Sequence, residues 1–225
     1  MKYKILSYMI AENSPVHIGL KKPVIIPNNQ ISRGDGYNTF IITVENHSGT
    51  HIDAPGHFIK GSKNIMEYSA SEFIFTNPLI IEVIKGEKEL IGIFDISDVD
   101  LDGFDCILFK TGFCRFRESD KEKYLTLNPG ISPEVIEYVR KNFPKIRCMG
   151  IDSVSISPYG DTETSIKSHI TAFKEEESFG EPVLLIEDLD FNDISASDKI
   201  KTLIVCPWQI KNIDSAPCSV VAEID

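Results

Sequence analysis

The sequence predicts an α/β fold, with a mixed or parallel sheet covered by helices, on three observations. Apolar runs of strand length recur at 40–44, 79–84, 106–110, 149–151, 183–186 and 202–206. Most are continuous rather than alternating, the pattern of strands covered on both faces. Stretches with helical signals lie between them, and 225 residues suffice for one sizeable core. A single domain over 1–225 is therefore expected.

In chain order, the apolar stretch 5–10 carries Ser7 and is too short for a secretory leader, so it reads as a first strand. The run 40–44 is a strand that delivers the following polar segment to a loop. Residues 66–73 are expected to form a helix. The clearest helix is 132–142: Ser132 is an N-cap, Pro133 takes the first helical position, Glu134 lies in the first turn and Arg140 and Lys141 in the last. A shorter helix over 165–173 carries His169. The charged run 174–178 reads as a solvated loop or helix end.

The formal net charge is -11, with 42% hydrophobic and 25% charged residues. Nucleic acid and anionic membranes need basic patches, and the chain has none, so a small-molecule partner is expected. No run approaches the roughly 20 apolar residues of a membrane-spanning helix. Cys106, Cys114, Cys148, Cys206 and Cys218 are odd in number and lack CxxC spacing. That implies free thiols and a cytoplasmic protein.

Three of the five histidines fall within residues 47–57, which read His-Ser-Gly-Thr-His-Ile-Asp-Ala-Pro-Gly-His. Imidazole and carboxylate without a nearby thiol suit Zn, Mn or Fe. His47, His51, Asp53 and His57 share one parity, yet fully extended they would span roughly 33 Å at ~3.3 Å per residue. Side chains sharing a site therefore require a bend, for which Gly49 and the Ala54-Pro55-Gly56 run are suited. The same residues disfavour a continuous helix. Two later residues are candidates to complete the site: His169, and Glu187 at the end of an apolar run, where open α/β sheets place their chemistry. Taken alone, each has an ordinary surface or core reading. His17 reads as structural or surface.

The segment 47–57 resembles the HxGTHxDxPxH signature of the cyclase-like metal-dependent hydrolases, the family of bacterial kynurenine formamidase and isatin hydrolase. Thr111-Gly112 after a strand, Pro129-Gly130-Ile131-Ser132 and Gly150-Ile151-Asp152-Ser153-Val154-Ser155 are similar to further family segments, so the likeness runs along nearly the whole chain. The resemblance implies a swivelling β/β/α fold and a centre for two divalent ions, Zn or Mn. His47, His51 and Asp53 would be ligands, with Asp53 bridging and His169 and Glu187 completing the second site. His57 would be the catalytic acid/base outside that set. The activity implied is hydrolysis of a small amide, with arylformamidase action on N-formylkynurenine the leading candidate and a cyclic amide such as isatin the alternative. Ser157 stands where formamidases carry an acid, and the segment between His169 and Glu187 is long. A homodimer or homotetramer is implied in the same way. A metal-containing binding protein without turnover is the competing class.

Overall fold

A computed structural model describes residues 2–195 and 198–224. Met1, Ala196, Ser197 and Asp225 lie outside the described residues, including both ends of the expected domain. The strands are β1 (Lys2–Ile5), β2 (Val24–Pro27), β3 (Phe40–Thr43), β4 (His51–Asp53), β5 (Ile74–Phe75), β6 (Pro78–Glu82) and β7 (Leu90–Ile91). They continue with β8 (Cys106–Lys110), β9 (Gly130–Ile131), β10 (Cys148–Ile151), β11 (Leu184–Glu187), β12 (Ile200–Pro207) and β13 (Ser215–Ile224). The helices are α1 (Phe116–Ser119), α2 (Lys121–Thr126), α3 (Pro133–Asn142) and α4 (Thr162–Phe173).

One mixed sheet runs in the order β5-β12-β13-β4-β11-β10-β8-β6, with β1 also paired to β13. Its two halves differ. The strands β6, β8, β10 and β11 are parallel, whereas β4, β13, β12 and β5 pair antiparallel, and β11 meets β4 antiparallel. Successive residues of β8 point to opposite faces. Ile107 and Phe109 join Val135, Ile136 and Val139 of α3 and Phe173 of α4 in one core. Cys106 and Leu108 join Leu203, Val205, Val220 and Ala222 of the antiparallel half in another. The parallel half is thus sandwiched between helices and its own antiparallel continuation. These three layers are the β/β/α arrangement expected, and they explain why the parallel strands read as continuous apolar runs.

Several local expectations hold to the residue. Ser132 Oγ accepts from Val135 N and α3 spans Pro133–Asn142. Asp152 accepts hydrogen bonds from the Thr111 and Gly112 amides at 2.8 and 2.9 Å and from the Thr111 hydroxyl. The Thr-Gly and Gly-Ile-Asp segments are therefore two parts of one strand-end clamp. Gly130 is required by close approach, since a Cβ there would lie 2.6 Å from the Ile156 carbonyl oxygen.

Other expectations differ. The first strand is β1, earlier than 5–10; Leu6 leaves it to enter the core. Residues 66–73 form two separate 3-10 turns, Ile65–Glu67 and Ala70–Phe73. Glu67 and Glu72 each close a capping box, on Asn64 and Ser69, and two helix starts so near each other prevent one helix. The strand at Phe40–Thr43 exists, but among the described residues it pairs only with β2, in an exposed two-stranded ribbon. Arg140 donates to the carbonyls of Lys174, Gly180 and Glu181, so the long segment after α4 is held against α3.

Candidate metal centre

β4 lies where the two halves of the sheet join, between β11 and β13. Its parity sends Ile52 into the core and His51 and Asp53 to the other face. In register, His51 stands opposite Glu187, which puts an imidazole and a carboxylate from distant segments side by side. His51 Nε2 and Glu187 Oε2 are 3.3 Å apart. Gly49 turns the chain into β4 with φ of 68°, in the left-handed region, and its carbonyl accepts from His51 Nδ1 at 2.9 Å.

After β4, Pro55–His57 forms a 3-10 turn that doubles the chain back. The ring centroids of His47 and His57 consequently lie 4.1 Å apart, despite a separation of ten positions in the chain. This is the bend required by the extended length. His169, on α4, bonds through Nδ1 to the Ser165 carbonyl at 2.7 Å and brings Nε2 to 3.6 Å from Glu187 Oε1. Its ring stacks on Phe58 at 4.2 Å. Glu187 Oε1 accepts from the Ile156 amide at 2.8 Å and from Ser155 Oγ at 3.1 Å.

All six predicted site residues are thus brought together. Their potential ligand atoms fall into two groups, His47-Asp53-His57 and His51-Asp53-Glu187, each within 4.8 Å, with Asp53 common to both. His57 accordingly lies as close to Asp53 and His47 as ligands would. His169 reaches the second group through Glu187.

Whether these residues fit divalent ions can be tested on hydrogen bonding. Among the described residues, His51 Nε2 and both Asp53 carboxylate oxygens are buried with no hydrogen-bond partner; Ser48 Oγ is the only other such atom. The contacts His47 Nδ1–Asp53 Oδ1 at 3.1 Å and His51 Nε2–Asp53 Oδ1 at 3.5 Å allow charge attraction without the alignment of a hydrogen bond. Buried polar groups left unpaired cost kilocalories each, so a cluster of them marks a place for a further partner. Nitrogen and oxygen donors without thiolate fit a Zn- or Mn-type ion.

Electrostatics agree. Burial opposes charge on Asp53 and Glu187, but His51 with His47, and His169 with His51, outweigh it and hold both carboxyls below their ordinary range. Burial also opposes protonation of His47, yet Asp53 and Asp214 raise its pKa to about 10.

Sequence reasoning missed Asp214. It precedes β13, and its Oδ2 lies 2.8 Å from His57 Nδ1 and 3.0 Å from His47 Nε2. Ser155 was likewise unassigned. His17, read as structural or surface, lines the cavity of about 230 Å³ over the centre with Leu20, Phe58 and the site histidines. Ser157 does not line it. A larger cleft of about 530 Å³, lined by residues such as Asn77, Glu82, Lys110 and Asp198, lies elsewhere and gathers no comparable ligand set among the described residues.

The Cyclase family model matches residues 5–158, which include the histidine cluster and the Asp152 clamp. The chain belongs to the Cyclase family. Among its curated relatives are a kynurenine formamidase from Geobacillus thermodenitrificans, 27% identical over 78% of this chain and 75% of its own, and one from Bacillus cytotoxicus, 25% identical over the same shares. Isatin hydrolase A from Labrenzia aggregata superposes on this Cyclase-family chain with a TM-score of 0.82 at 20% identity, covering 98% of this chain and 93% of its own. A "predicted metal-dependent hydrolase" from Bacillus stearothermophilus gives a TM-score of 0.73 at 22% identity over 98% and 97%. At those identities the structures establish the shared fold. No helix among the described residues is long and apolar enough to cross a membrane.

Proposed function

We propose that this Cyclase-family hydrolase cleaves the C–N bond of a small aryl formamide, with N-formylkynurenine and water giving kynurenine and formate. The observation that carries the reading is the set of unpartnered buried atoms, His51 Nε2 and both Asp53 oxygens, in two ligand groups that share Asp53, one of which includes His57. The formamidase relatives supply the substrate class. Divalent ions of the Zn or Mn kind, held by His47, His51, Asp53, His169 and Glu187, would polarise the amide carbonyl and make water acidic enough to ionise near neutral pH.

The chain's own residues do the rest. Asp53 belongs to both groups and would bridge them. The Nδ1 atoms of His51 and His169 are tied to backbone carbonyls, so each would coordinate through Nε2. His57 engages Asp214 through Nδ1, leaving Nε2 to take a proton from water and return it to the departing nitrogen. Phe58 and Leu20 give the small cavity apolar walls for an aromatic ring. The working unit would be one domain over 1–225, assembled as a homodimer or homotetramer in the cytoplasm, with a small amide as its partner and neither nucleic acid nor membrane.

Isatin and related cyclic amides are the second reading, favoured by the TM-score of 0.82 with isatin hydrolase A. Full-length protein loaded with zinc or manganese, offered N-formylkynurenine, formanilide and isatin and followed by absorbance, separates the two. Formamide turnover is expected. His57→Ala should lower it by roughly 10²- to 10⁴-fold with bound metal unchanged. Two metals bound with no turnover of any amide would contradict the hydrolase and leave a binding protein.

A further inference from the structure

Each of the four clustered histidines has one ring nitrogen tied to an acceptor, two to backbone carbonyls that serve one ring each and two to a shared carboxylate. His51 and His169 each use a backbone carbonyl for Nδ1. His47 and His57 use the same atom, Asp214 Oδ2, but present opposite nitrogens to it, Nε2 and Nδ1. From this geometry we infer that Asp214 is a positioning residue that fixes the tautomers and ring planes of His47 and His57 together. The inference rests on the reading of His47 as a ligand and His57 as the proton carrier.

The carboxylate is itself well anchored. Asn46 Nδ2 donates to Oδ1 at 3.1 Å, which orients the carboxylate plane. The Ala54 amide donates to the Asp214 carbonyl at 2.9 Å, and the next residue, Ser215, is in register with Asp53. Ser215 Oγ in turn donates to the Asn46 carbonyl at 3.2 Å. Asp214 is therefore fastened to both sides of the histidine segment, to Asn46 before it and to Ala54 within it.

The consequence is specific to atoms. With Nδ1–H of His57 donated to Asp214, only Nε2 remains to exchange a proton with substrate. With Nε2–H of His47 donated to the same oxygen, Nδ1 remains, and it is the nitrogen 3.1 Å from Asp53 Oδ1. His47 would therefore coordinate through Nδ1, unlike His51 and His169. Because both rings bear on one oxygen at a centroid spacing of 4.1 Å, neither can turn without disturbing the other. Acceptors behind metal-binding histidines commonly have this role, and losing one typically costs 10- to 100-fold in metal affinity or activity.

Long-range nitrogen-proton NMR on the full chain loaded with zinc reads each imidazole tautomer directly. The wild type should show His57 protonated at Nδ1 and His47 at Nε2. In Asp214→Ala, His57 should populate both tautomers, zinc affinity measured against a chromophoric chelator should fall roughly 10- to 100-fold, and kcat on N-formylkynurenine should fall with KM little changed. Asp214→Leu, closer in volume, decides the matter if the alanine variant does not fold. Asp214→Asn keeps an oxygen where Oδ2 stands and should restore the wild-type tautomers. Unchanged tautomers at His57 and His47 in a folded alanine or leucine variant overturn the inference, whatever happens to zinc affinity. A wild-type chain that hydrolyses no amide while the variants show the tautomer change would overturn the formamidase reading and leave the positioning role intact.

Discussion

Glu187 and Asp188 are consecutive, acidic and buried, and their surroundings are opposite. Asp188 follows the last residue of β11 with a φ of 57°, in the left-handed region, and its partners differ from those of Glu187. It receives Arg117 Nε and Nη2 at 2.7 and 2.8 Å and the Tyr124 hydroxyl, while Thr50 donates to its carbonyl. Arg117 also lies over the Tyr8 ring at 3.8 Å. That cluster is closed. On the Glu187 side, two backbone-anchored imidazoles and an Asp53 carboxylate converge, yet His51 Nε2 and both Asp53 oxygens lack hydrogen bonds. Buried charge is thus fully paired around Asp188, whereas around Glu187 it stands beside atoms with no hydrogen-bond partner.

Breaking the closed cluster should have the largest effect on folding. Arg117→Met strands Asp188 and should cost about 3–5 kcal/mol in urea denaturation, while the stabilisation gained on adding zinc stays at its wild-type size. A lost zinc increment would show the two clusters to be coupled rather than distinct. The open cluster should respond to metal instead. Free zinc at 100 times its dissociation constant should stabilise the wild type by about 2.7 kcal/mol; the same gain with chelator present would argue against a metal site.

The pH dependence sharpens the contrast. In zinc-depleted protein, the Asp53 and Asp214 carboxylates outweigh burial and raise His47 to about 10. A raised pKa contributes stability that is complete below the unfolded value near 6.5 and is lost as pH climbs through about 10. Denaturation midpoints should fall over that window, by at most about 1.4 kcal/mol per pH unit for one proton. Zinc-loaded protein should not show the fall, since a coordinating nitrogen carries no proton. Smallest of all, Ser155→Ala removes one of two hydrogen bonds to Glu187 Oε1 and should weaken zinc binding by about 1 kcal/mol. No change would assign the hydroxyl to packing alone.

Much of this was legible in the sequence. The strand at Cys106–Lys110 and the capped helix Pro133–Asn142 announce themselves by a continuous apolar run and by capping chemistry, which are local. The histidine cluster was legible because its spacing is incompatible with a straight strand. What stayed hidden is nonlocal or disguised. β4 itself is three residues long and two of them are polar, facing a cluster of imidazoles and carboxylates rather than apolar cover. β13 contains Pro217, which suppresses a strand reading; its carbonyl is used by Trp208. Asp214 sits in an ordinary polar loop, and only the pairing of Ser215 with Asp53 carries it to the site. In the exposed ribbon, the apolar pattern of β3 was legible as a strand, but its partner β2 was not, and nothing in the pattern shows that no core covers the pair.

Asp53 is common to both potential ligand groups. Elemental analysis of purified full-length protein after zinc loading and desalting, for the wild type and for Asp53→Asn, tests it most directly. Two ions per chain are expected in the wild type, and loss of both in the variant. A variant that retains two ions, or a wild type that binds none, would contradict it.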